Sequence, residues 1–267
     1  MQIIHIGKEN ATFQQIFALK NNRNKRLHMG QFFVEGVQNI KNAISNNWHI
    51  NAFIFSQDKE LSQWAKSILR FSDINYALSS ELMNKLSDKT DTSEILAIIE
   101  MKEELNIFNT KNPVYVLLDR PSKKGNLGSI IRSCDALNVD CLFYSGHSVD
   151  IYDHEVITAS MGSFFRVPFC YIETNEQYLR FIYNLKTMYK DFQVVATSLQ
   201  AEDKIQDCDF TKPTLLLIGN EADGLCKFYK ENADKSIIIP IKKDIDSLNV
   251  ACATSICLYE IQRQRSL

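Results

Sequence analysis

The spacing of apolar positions changes repeatedly along the chain, which predicts short strands alternating with helices. In the first hundred residues, helix-like spacing is found over 12–20, 37–46 and 60–69, with a short helix expected from Ser80. The short β-rich runs that predict strands are 32–36, 51–56, 75–78 and 94–100. Elements that alternate in this way favour an α/β fold with a mostly parallel sheet.

A second α/β series follows the polar segment 106–113, where we place a domain boundary. The continuous apolar runs 114–119 and 214–218 are typical of parallel strands covered on both faces. Further strands are predicted at 141–145, 193–198 and 236–240, and helices at 126–138, 175–190 and 247–265. Ser247 is the expected N-cap of the last helix. Small residues in that helix would let another helix approach closely. We therefore predict a smaller domain over 1–108 and a larger one over 112–267.

Composition limits the classes of protein and of site that are possible. Apolar residues make up 45% of the 267 residues, enough for a packed core, and the formal net charge is −2, so any nucleic-acid site must be a local patch. The seven cysteines form no C-x-x-C pair, and the five histidines show no metal-ligand spacing. No run reaches the roughly 18 apolar residues of a spanning helix, and no signal-peptide core precedes the first strand. We expect an intracellular, cytoplasmic protein with reduced thiols and no metal.

Three loops after predicted strands carry polar residues that turn chemistry alone does not require. They are the segments 119–132, 219–225 and 239–249. In open α/β sheets, ligands bind where the carboxyl ends of several strands meet. Asn126 and Arg132 on the first loop, Glu221 on the second and Asn249 on the third would then form a site that orients polar groups.

Two simpler motifs that these loops imitate are rejected. The segment 219–224 has the glycine spacing of a phosphate-binding loop, but Leu225 and Cys226 stand where lysine and a hydroxyl residue are needed. The segment 125–128 imitates the GXXG clamp of KH domains but follows a strand rather than a helix. The chain contains no G-x-G-x-x-G dinucleotide fingerprint.

Taken together, the three loops resemble the signature motifs of the SpoU (TrmH) family of SPOUT RNA 2′-O-ribose methyltransferases. The matching motifs are Asn126-x-Gly128-x-x-x-Arg132, Gly219-Asn-Glu221-x-x-Gly224-Leu225, and Ile239-Pro240 followed by Ser247-Leu248-Asn249-Val250-Ala251. The segment 159–163 with Pro168 fits the stretch between the first two motifs, and 33–36 fits the family's ribosomal-protein-like substrate-binding domain. Asparagine at Asn138, where the family often has glycine, is a mild departure because asparagine tolerates the left-handed conformation.

The resemblance implies an α/β fold whose second domain is a SPOUT-type parallel sheet with a deep trefoil knot, acting as a homodimer with active sites completed across the interface. It implies S-adenosyl-L-methionine as the cofactor. The residues carried over by position as cofactor-binding are Ser198, Leu199, Ile218, Gly219, Asn220, Gly224, Ile239, Pro240, Ile241, Leu248 and Asn249. Main-chain groups at such positions suit the edges of a neutral heteroaromatic ring.

The resemblance also implies the catalytic groups. They are Arg132, Asn126, Glu221, Ser247 and Asn249. Arginine is a poor base because its pKa lies above about 12. Arg132 is therefore expected to orient the ribose hydroxyl or its phosphate and to stabilise the developing oxyanion; proton acceptance would require that its own charge be displaced. The other four would position Arg132 and the ribose.

Cationic residues in two segments are the candidates for RNA phosphate contacts. They are Lys20, Arg23, Lys25, Arg26, Lys123 and Lys124. The extra first domain favours 23S rRNA as the substrate. The alternatives are a tRNA 2′-O-methyltransferase and a non-catalytic RNA-binding or ribosome-associated protein of the same fold; retention of Arg132, Glu221 and Asn249 argues against the non-catalytic one.

Overall fold

Two α/β units account for the residues that the computed structural model describes, namely 2–102, 110–242 and 244–266. In unit 1, the described part of Met1–Glu103 packs with Asp150–Arg166; unit 2 contains the described parts of Glu104–Val149 and Val167–Leu267. The segment Asp150–Arg166, which the sequence placed in the second domain, therefore folds with unit 1. Residues 106–109 of the predicted boundary lie outside the described part of the chain.

The elements follow one another in the alternating order that the hydrophobic pattern predicts. The strands are β1 (Gln2–Ile6), β2 (Gln31–Glu35), β3 (Ile50–Ser56), β4 (Ile74–Leu78), β5 (Ile95–Glu100), β6 (Val114–Asp119), β7 (Cys141–Ser145), β8 (Phe169–Ile172), β9 (Gln193–Thr197), β10 (Asp203–Lys204), β11 (Thr214–Ile218) and β12 (Lys235–Ile238). The helices are α1 (Ala11–Asn21), α2 (Arg23–Met29), α3 (Val37–Ser45), α4 (Gln63–Ile68), α5 (Ser80–Leu86), α6 (Lys124–Ala136), α7 (His154–Ala159), α8 (Asn175–Met188), α9 (Lys227–Glu231) and α10 (Val250–Arg265). Short 3₁₀ turns lie at Leu69–Phe71, Ser163–Phe165 and Ile205–Asp207.

Unit 1 is built on a five-stranded sheet in the order β1-β4-β3-β5-β2. The strands β1, β4 and β3 pair in parallel, whereas β5 runs antiparallel between β3 and β2. The sheet is therefore mixed, with β5 as the reversed strand. Segment Asp150–Arg166 adds Tyr152 and Phe164 to an aromatic cluster around Phe32 and Trp48. Burial of these rings explains why the segment folds with this unit.

Unit 2 is built on a seven-stranded sheet in the order β10-β12-β9-β11-β6-β7-β8, with every pair parallel. The central strands β6 and β11 are buried along their whole length, as expected for strands covered on both faces. The α/β fold with a parallel sheet is confirmed; the trefoil knot stays a prediction. Within the described residues, no helix is both long and apolar enough to cross a membrane.

The N-cap of the last helix lies two residues beyond the predicted one. Asn249, not Ser247, is the N-cap of α10: its Oδ1 accepts hydrogen bonds from the N–H groups of Ala251 (2.9 Å) and Cys252 (3.4 Å). The expected close helix approach is confirmed, since Ser255 Oγ lies 2.7 Å from Ser133 Oγ on α6. The prediction of Ser247 as the cap is wrong because serine and asparagine both cap well, and the sequence alone does not choose between them.

Candidate active site

Four strand ends meet at one edge of the unit 2 sheet. Because β12, β9, β11 and β6 are neighbours and all run in parallel, their carboxyl ends deliver the segments after Ile238, Thr197, Ile218 and Asp119 to the same edge. The three loops singled out by their polar residues are three of these four segments, as the position rule for open α/β sheets predicts.

The loop after β11 is a tight hairpin that needs glycine at its base. Asn220 and Gly224 exchange two backbone hydrogen bonds of 3.1 and 3.0 Å, and Gly224 has a left-handed φ of 67°. A Cβ on Gly219 would lie 2.3 Å from the backbone carbon of Gly224 and 2.3 Å from the nitrogen of Leu225. Because it has no side chain, Gly219 lets the two backbone segments of the hairpin pack directly against each other. The hairpin holds Glu221 at its tip.

A chain of side-chain hydrogen bonds ties the three loops together at Glu221. Ser122 Oγ donates to one carboxylate oxygen of Glu221 (2.7 Å), and Asn126 Nδ2 donates to the other (2.9 Å). Asn249 Nδ2 donates to Asn126 Oδ1 (3.1 Å), while the Asn249 Oδ1 accepts from the first turn of α10. Each polar atom has a defined donor or acceptor role, so the orientation of these side chains is fixed.

The same contacts set the ionisation of Glu221. Partial burial raises its pKa, but the hydrogen bonds from Asn126 and Ser122, together with nearby Lys123, outweigh burial and hold the pKa of Glu221 below its usual value. Glu221 is therefore a carboxylate at neutral pH and acts as a hydrogen-bond acceptor. It is the group on which the donors of the other loops converge.

A cavity of about 420 Å³ opens at this edge, within the range of about 300–1,000 Å³ that is typical of small-molecule sites. The predicted cofactor residues that line it are Ser198, Leu199, Ile218, Gly219, Asn220, Gly224, Ile239, Ile241 and Leu248. Glu221 and Ser247 line it as well, whereas Pro240 and Asn249 lie outside the lining. The lining also includes residues that the sequence did not single out, among them Thr197, Gln200 and Lys230; Thr197 could have been found as the last residue of a strand.

Arg132 stands apart from this hydrogen-bonded set. It lies exposed on α6, six residues after Asn126, and its side chain makes no hydrogen bond or ion pair with any described residue. Six residues at about 100° each turn the helix by about 240°, so the two side chains leave α6 in different directions. Within unit 2 the structure thus brings Asn126, Glu221 and Asn249 together, with Ser247 at the cavity, but not Arg132.

Two of the predicted RNA contacts are corrected by the structure. Arg26 is 2% exposed; its guanidinium pairs with Asp150 (2.7 Å) and Asp153 (3.4 Å) and also donates to two backbone carbonyls. Lys20 is 4% exposed and pairs with Asp88 at 2.6 Å. Both cations hold unit 1 together and cannot reach a phosphate as they stand.

The other four predicted RNA contacts lie at the surface. Arg23 and Lys123 are exposed, and Lys25 and Lys124 are partly exposed.

One group in the described part of unit 1 has the composition of a metal site, namely Asp153, His154 and Glu155. Asp153 already binds Arg26 and caps α7 by accepting from the N–H of Glu155 at 3.0 Å. His154 Nδ1 lies 3.1 Å from Asp88, and burial lowers the pKa of His154. These contacts account for the group as part of the ion-pair network of α2 and α7.

Sequence comparison assigns both parts of the chain to one family. Residues 113–259 match the SpoU rRNA Methylase family, and residues 10–97 match the SpoU L30e-like domain. The chain belongs to the SpoU rRNA methylase family. This membership confirms the resemblance read from the three loops. In this SpoU protein, all three signature motifs lie at the edge of the unit 2 sheet where the cavity opens.

Three relatives show how far the similarity extends. A 23S rRNA (uridine(2479)-2′-O)-methyltransferase of Streptomyces viridochromogenes is 36% identical over 97% of this chain and 92% of the relative. The crystal structure of the SpoU methyltransferase AviRb from that organism with AdoMet superposes with a TM-score of 0.91, at 36% identity, over 97% of this chain and 99% of that one. An AdoMet-bound rRNA methyltransferase from Sinorhizobium meliloti gives a TM-score of 0.86 at 26% identity, over 98% of each chain.

Proposed function

We propose that this protein transfers a methyl group from S-adenosylmethionine to a ribose 2′-hydroxyl of 23S rRNA. The observation that carries the proposal is that the cavity shares Glu221 with the hydrogen-bonded set of Asn126 and Asn249. A small-molecule site and a fixed array of polar groups therefore adjoin at the strand ends. Relatives similar over nearly the whole chain, the Streptomyces enzyme among them, are named as rRNA 2′-O-methyltransferases.

The residues of the cavity fit this cofactor. Leu199, 54% exposed, and the partly buried Leu248 give the cavity apolar surface for a heteroaromatic ring. Gly219 leaves the main chain of its loop open to close approach, since it has no side chain. The bound cofactor supplies an electrophilic methyl group, and the cofactor-binding residues predicted from the sequence would hold it, with the nine that line the cavity in direct reach.

The remaining groups orient the acceptor and stabilise charge. A ribose hydroxyl must lose its proton as its oxygen forms a new bond, so a cationic group near the developing oxyanion favours the reaction. We assign this role to Arg132, whose guanidinium remains charged and carries several donors. Asn126, Glu221, Ser247 and Asn249 act as the positioning groups, because their hydrogen bonds or their place at the cavity fix one arrangement of the three loops.

Arg132 is exposed and lies apart from the other predicted catalytic residues. A homodimer in which the second protomer completes each active site would account for this position. A candidate contact surface is the α10 stripe, which we define as Cys252, Ile256 and Tyr259; Ile256 is 41% and Tyr259 63% exposed. The three residues are spaced by four and three positions and so share one helix face. Sedimentation should show a dimer that Tyr259→Glu dissociates, whereas Tyr183→Glu, on the exposed face of α8, leaves it intact. A monomeric wild-type protein would contradict the dimer.

The test of activity uses the full chain with cofactor and unmodified RNA transcripts. Calorimetry should show binding of S-adenosylmethionine, and nuclease digestion with mass spectrometry should show a 2′-O-methylnucleoside in 23S rRNA after incubation. Arg132→Ala should abolish turnover while the cofactor Kd stays the same, and Arg180→Ala, an exposed arginine on α8, serves as the matched control. Absence of cofactor binding, or methylation of a base, would refute the proposal. Methylation of tRNA alone would favour a tRNA enzyme, a class whose Aquifex relative matches only 56% of this chain.

RNA contact is assigned to the exposed cations that remain after the correction. They are Arg23, Lys25, Lys123 and Lys124. Each phosphate contact makes the slope of log binding constant against log salt concentration more negative, by about 0.9 for duplex and about 0.7 for single-stranded nucleic acid. Substitution of all four by glutamine should flatten that slope, whereas Lys8→Gln with Lys59→Gln should not; an unchanged slope in the quadruple variant would contradict the assignment. The cytoplasm is the proposed location, to be checked by cell fractionation.

A further inference from the structure

Arg120, the residue after β6, has a backbone conformation that few residues adopt. Its φ is +51°, and Pro121 follows it. A left-handed residue other than glycine is uncommon, and a following proline restricts the backbone further. Such a conformation persists only where surrounding contacts hold it. The contacts of Arg120 are therefore informative about what this conformation achieves.

The bend turns the guanidinium of Arg120 back onto the side chain of the preceding residue. Arg120 Nε and Nη2 donate to the two oxygens of Asp119 at 2.9 and 3.1 Å, and Asp119 is 2% exposed. The hydrogen bonds to Asp119 raise the pKa of Arg120, so the guanidinium is charged at neutral pH. This two-pronged pairing is the geometry in which arginine fixes a carboxylate, and lysine cannot reproduce it.

Three hydrogen bonds connect the pair to the loop that forms the cavity wall, and Arg120 Nη1 also lies 3.8 Å from the carboxylate of Asp223 in that loop. Asp119 also accepts from the backbone N–H of Cys226 at 2.8 Å, and Arg120 Nη2 donates to the carbonyl of Gly224 at 3.3 Å. Asn220 Nδ2 donates to the carbonyl of Arg120 at 2.6 Å. Both ends of the Gly219 hairpin are thus attached to the end of β6, and the whole hairpin lines the cavity.

The neighbouring strand leaves room for this arrangement. The N–H of Arg120 donates to the carbonyl of Ser145 at the end of β7 (3.0 Å). A Cβ on Gly146 would lie 2.6 Å from Cγ of Arg120. A side chain at Gly146 would therefore displace the guanidinium, although Gly146 itself does not line the cavity.

We propose that Arg120 is a positioning residue for the methyl-transfer site, which holds the Gly219 hairpin in the conformation that binds cofactor and presents Glu221. The inference rests on the proposed function, because it takes the cavity to be the cofactor site. Arg120 acts through the loop: its guanidinium bonds to Asp119 and Gly224. It therefore governs cofactor affinity and not RNA affinity.

The first test is Arg120→Ala in the full chain, with S-adenosylmethionine as the titrated ligand. Loss of charge-assisted hydrogen bonds that hold the loop should raise the cofactor Kd about 10-fold or more. KM for cofactor should rise with it, and KM for RNA should not change. Millimolar ethylguanidinium should restore part of the affinity, whereas Arg120→Lys should not behave as wild type, because an ammonium cannot bridge Asp119 and Gly224 in the same way. Arg180→Ala is the control and should match wild type.

A second variant keeps the inference testable if Arg120→Ala folds poorly. Gly146→Ala should raise the cofactor Kd in the wild-type background, and it should raise it less in the Arg120→Ala background, because the left-handed strain at Gly146 (φ +66°) is present in both whereas the clash with the Arg120 side chain is present only in the first. Additive effects, or an unchanged Kd in Arg120→Ala, would overturn the positioning role while the proposed function stands. A wild-type protein that binds no cofactor would instead overturn the proposed function.

Discussion

Substitution of Gly219 by alanine is the most direct test of how the cavity wall is built. The added methyl carbon would lie 2.3 Å from two backbone atoms of Gly224 and Leu225, where ordinary contact begins at 3.4 Å. The hairpin must therefore separate by about 1 Å, and no side chain can rotate away to prevent it. Overpacking of this kind costs about 1–3 kcal/mol. Opening of the two Asn220–Gly224 hydrogen bonds would add about 1 kcal/mol each.

We expect Gly219→Ala to lower the free energy of unfolding by about 3–5 kcal/mol and to weaken cofactor binding, because Glu221 moves with the hairpin. Differential scanning calorimetry and titration with S-adenosylmethionine measure the two effects. Gly125→Ala in α6 is the matched control: its added Cβ meets nothing within 4 Å, and alanine in a helix should stabilise by about 0.5–1 kcal/mol. A Gly219→Ala protein with unchanged Tm and cofactor Kd would refute the reasoning.

Three further predictions follow from single groups. The pKa of Glu221 is depressed in the folded protein, so the contribution of Glu221 to stability is present above the ordinary pKa of 4.5 and is lost as the pH falls through the folded pKa. Urea unfolding at several pH values between about 2.5 and 6, a range that brackets 4.5, should show that the free energy of unfolding depends less on pH in Glu221→Gln than in wild type. Arg26→Ala removes the buried guanidinium that pairs with Asp150 and Asp153 and should cost about 3–5 kcal/mol in urea unfolding, whereas exposed Arg23→Ala should cost far less; equal costs would contradict the burial argument. A thiol reagent applied before unfolding should spare the buried thiols whose pKa burial raises, namely Cys134, Cys141 and Cys257, and should label them only after the protein has unfolded.

Regular periodicity predicted most of the strands and the long helices, but it missed the strands β1, β8 and β10 and elements whose stability comes from distant partners. The strands β6 and β11 and the helix α8 fall within a residue or two of their predicted limits, because each shows a clear apolar pattern. No helix was predicted after residue 20 in the cationic segment, yet that segment forms most of α2. That helix carries the buried Arg26, whose carboxylate partners lie more than a hundred residues later in Asp150–Arg166. No local sequence pattern predicts a pairing between residues so far apart. This explains why α2 was missed and why Asp150–Arg166 was assigned to the second domain.

The misreading of Lys20 and Arg26 has the same cause. A run of cations without acids predicts a nucleic-acid patch only if those side chains remain in water. Once Asp88 and Asp150 are brought against them, the same charges become internal ion pairs. The number of cationic residues in a sequence segment is therefore only an upper limit on the number of phosphate contacts. Burial in the folded unit decides which of these side chains can still reach a phosphate.

The candidate site could be predicted from the sequence because its three parts obey one rule of sheet geometry, although their mutual contacts could not. Asn126 and Glu221 are 95 positions apart, and Asn126 and Asn249 are 123 positions apart. The strand order places β11 beside β6, so the loop that carries Glu221 reaches the start of α6. Asn249 then both caps α10 and donates to Asn126, which makes the start of that helix part of the site. This double role suits asparagine at the cap: the Asn249 amide accepts from the helix N–H groups through its oxygen and donates to the neighbouring loop through its separate nitrogen, whereas a serine hydroxyl would do both through one oxygen atom.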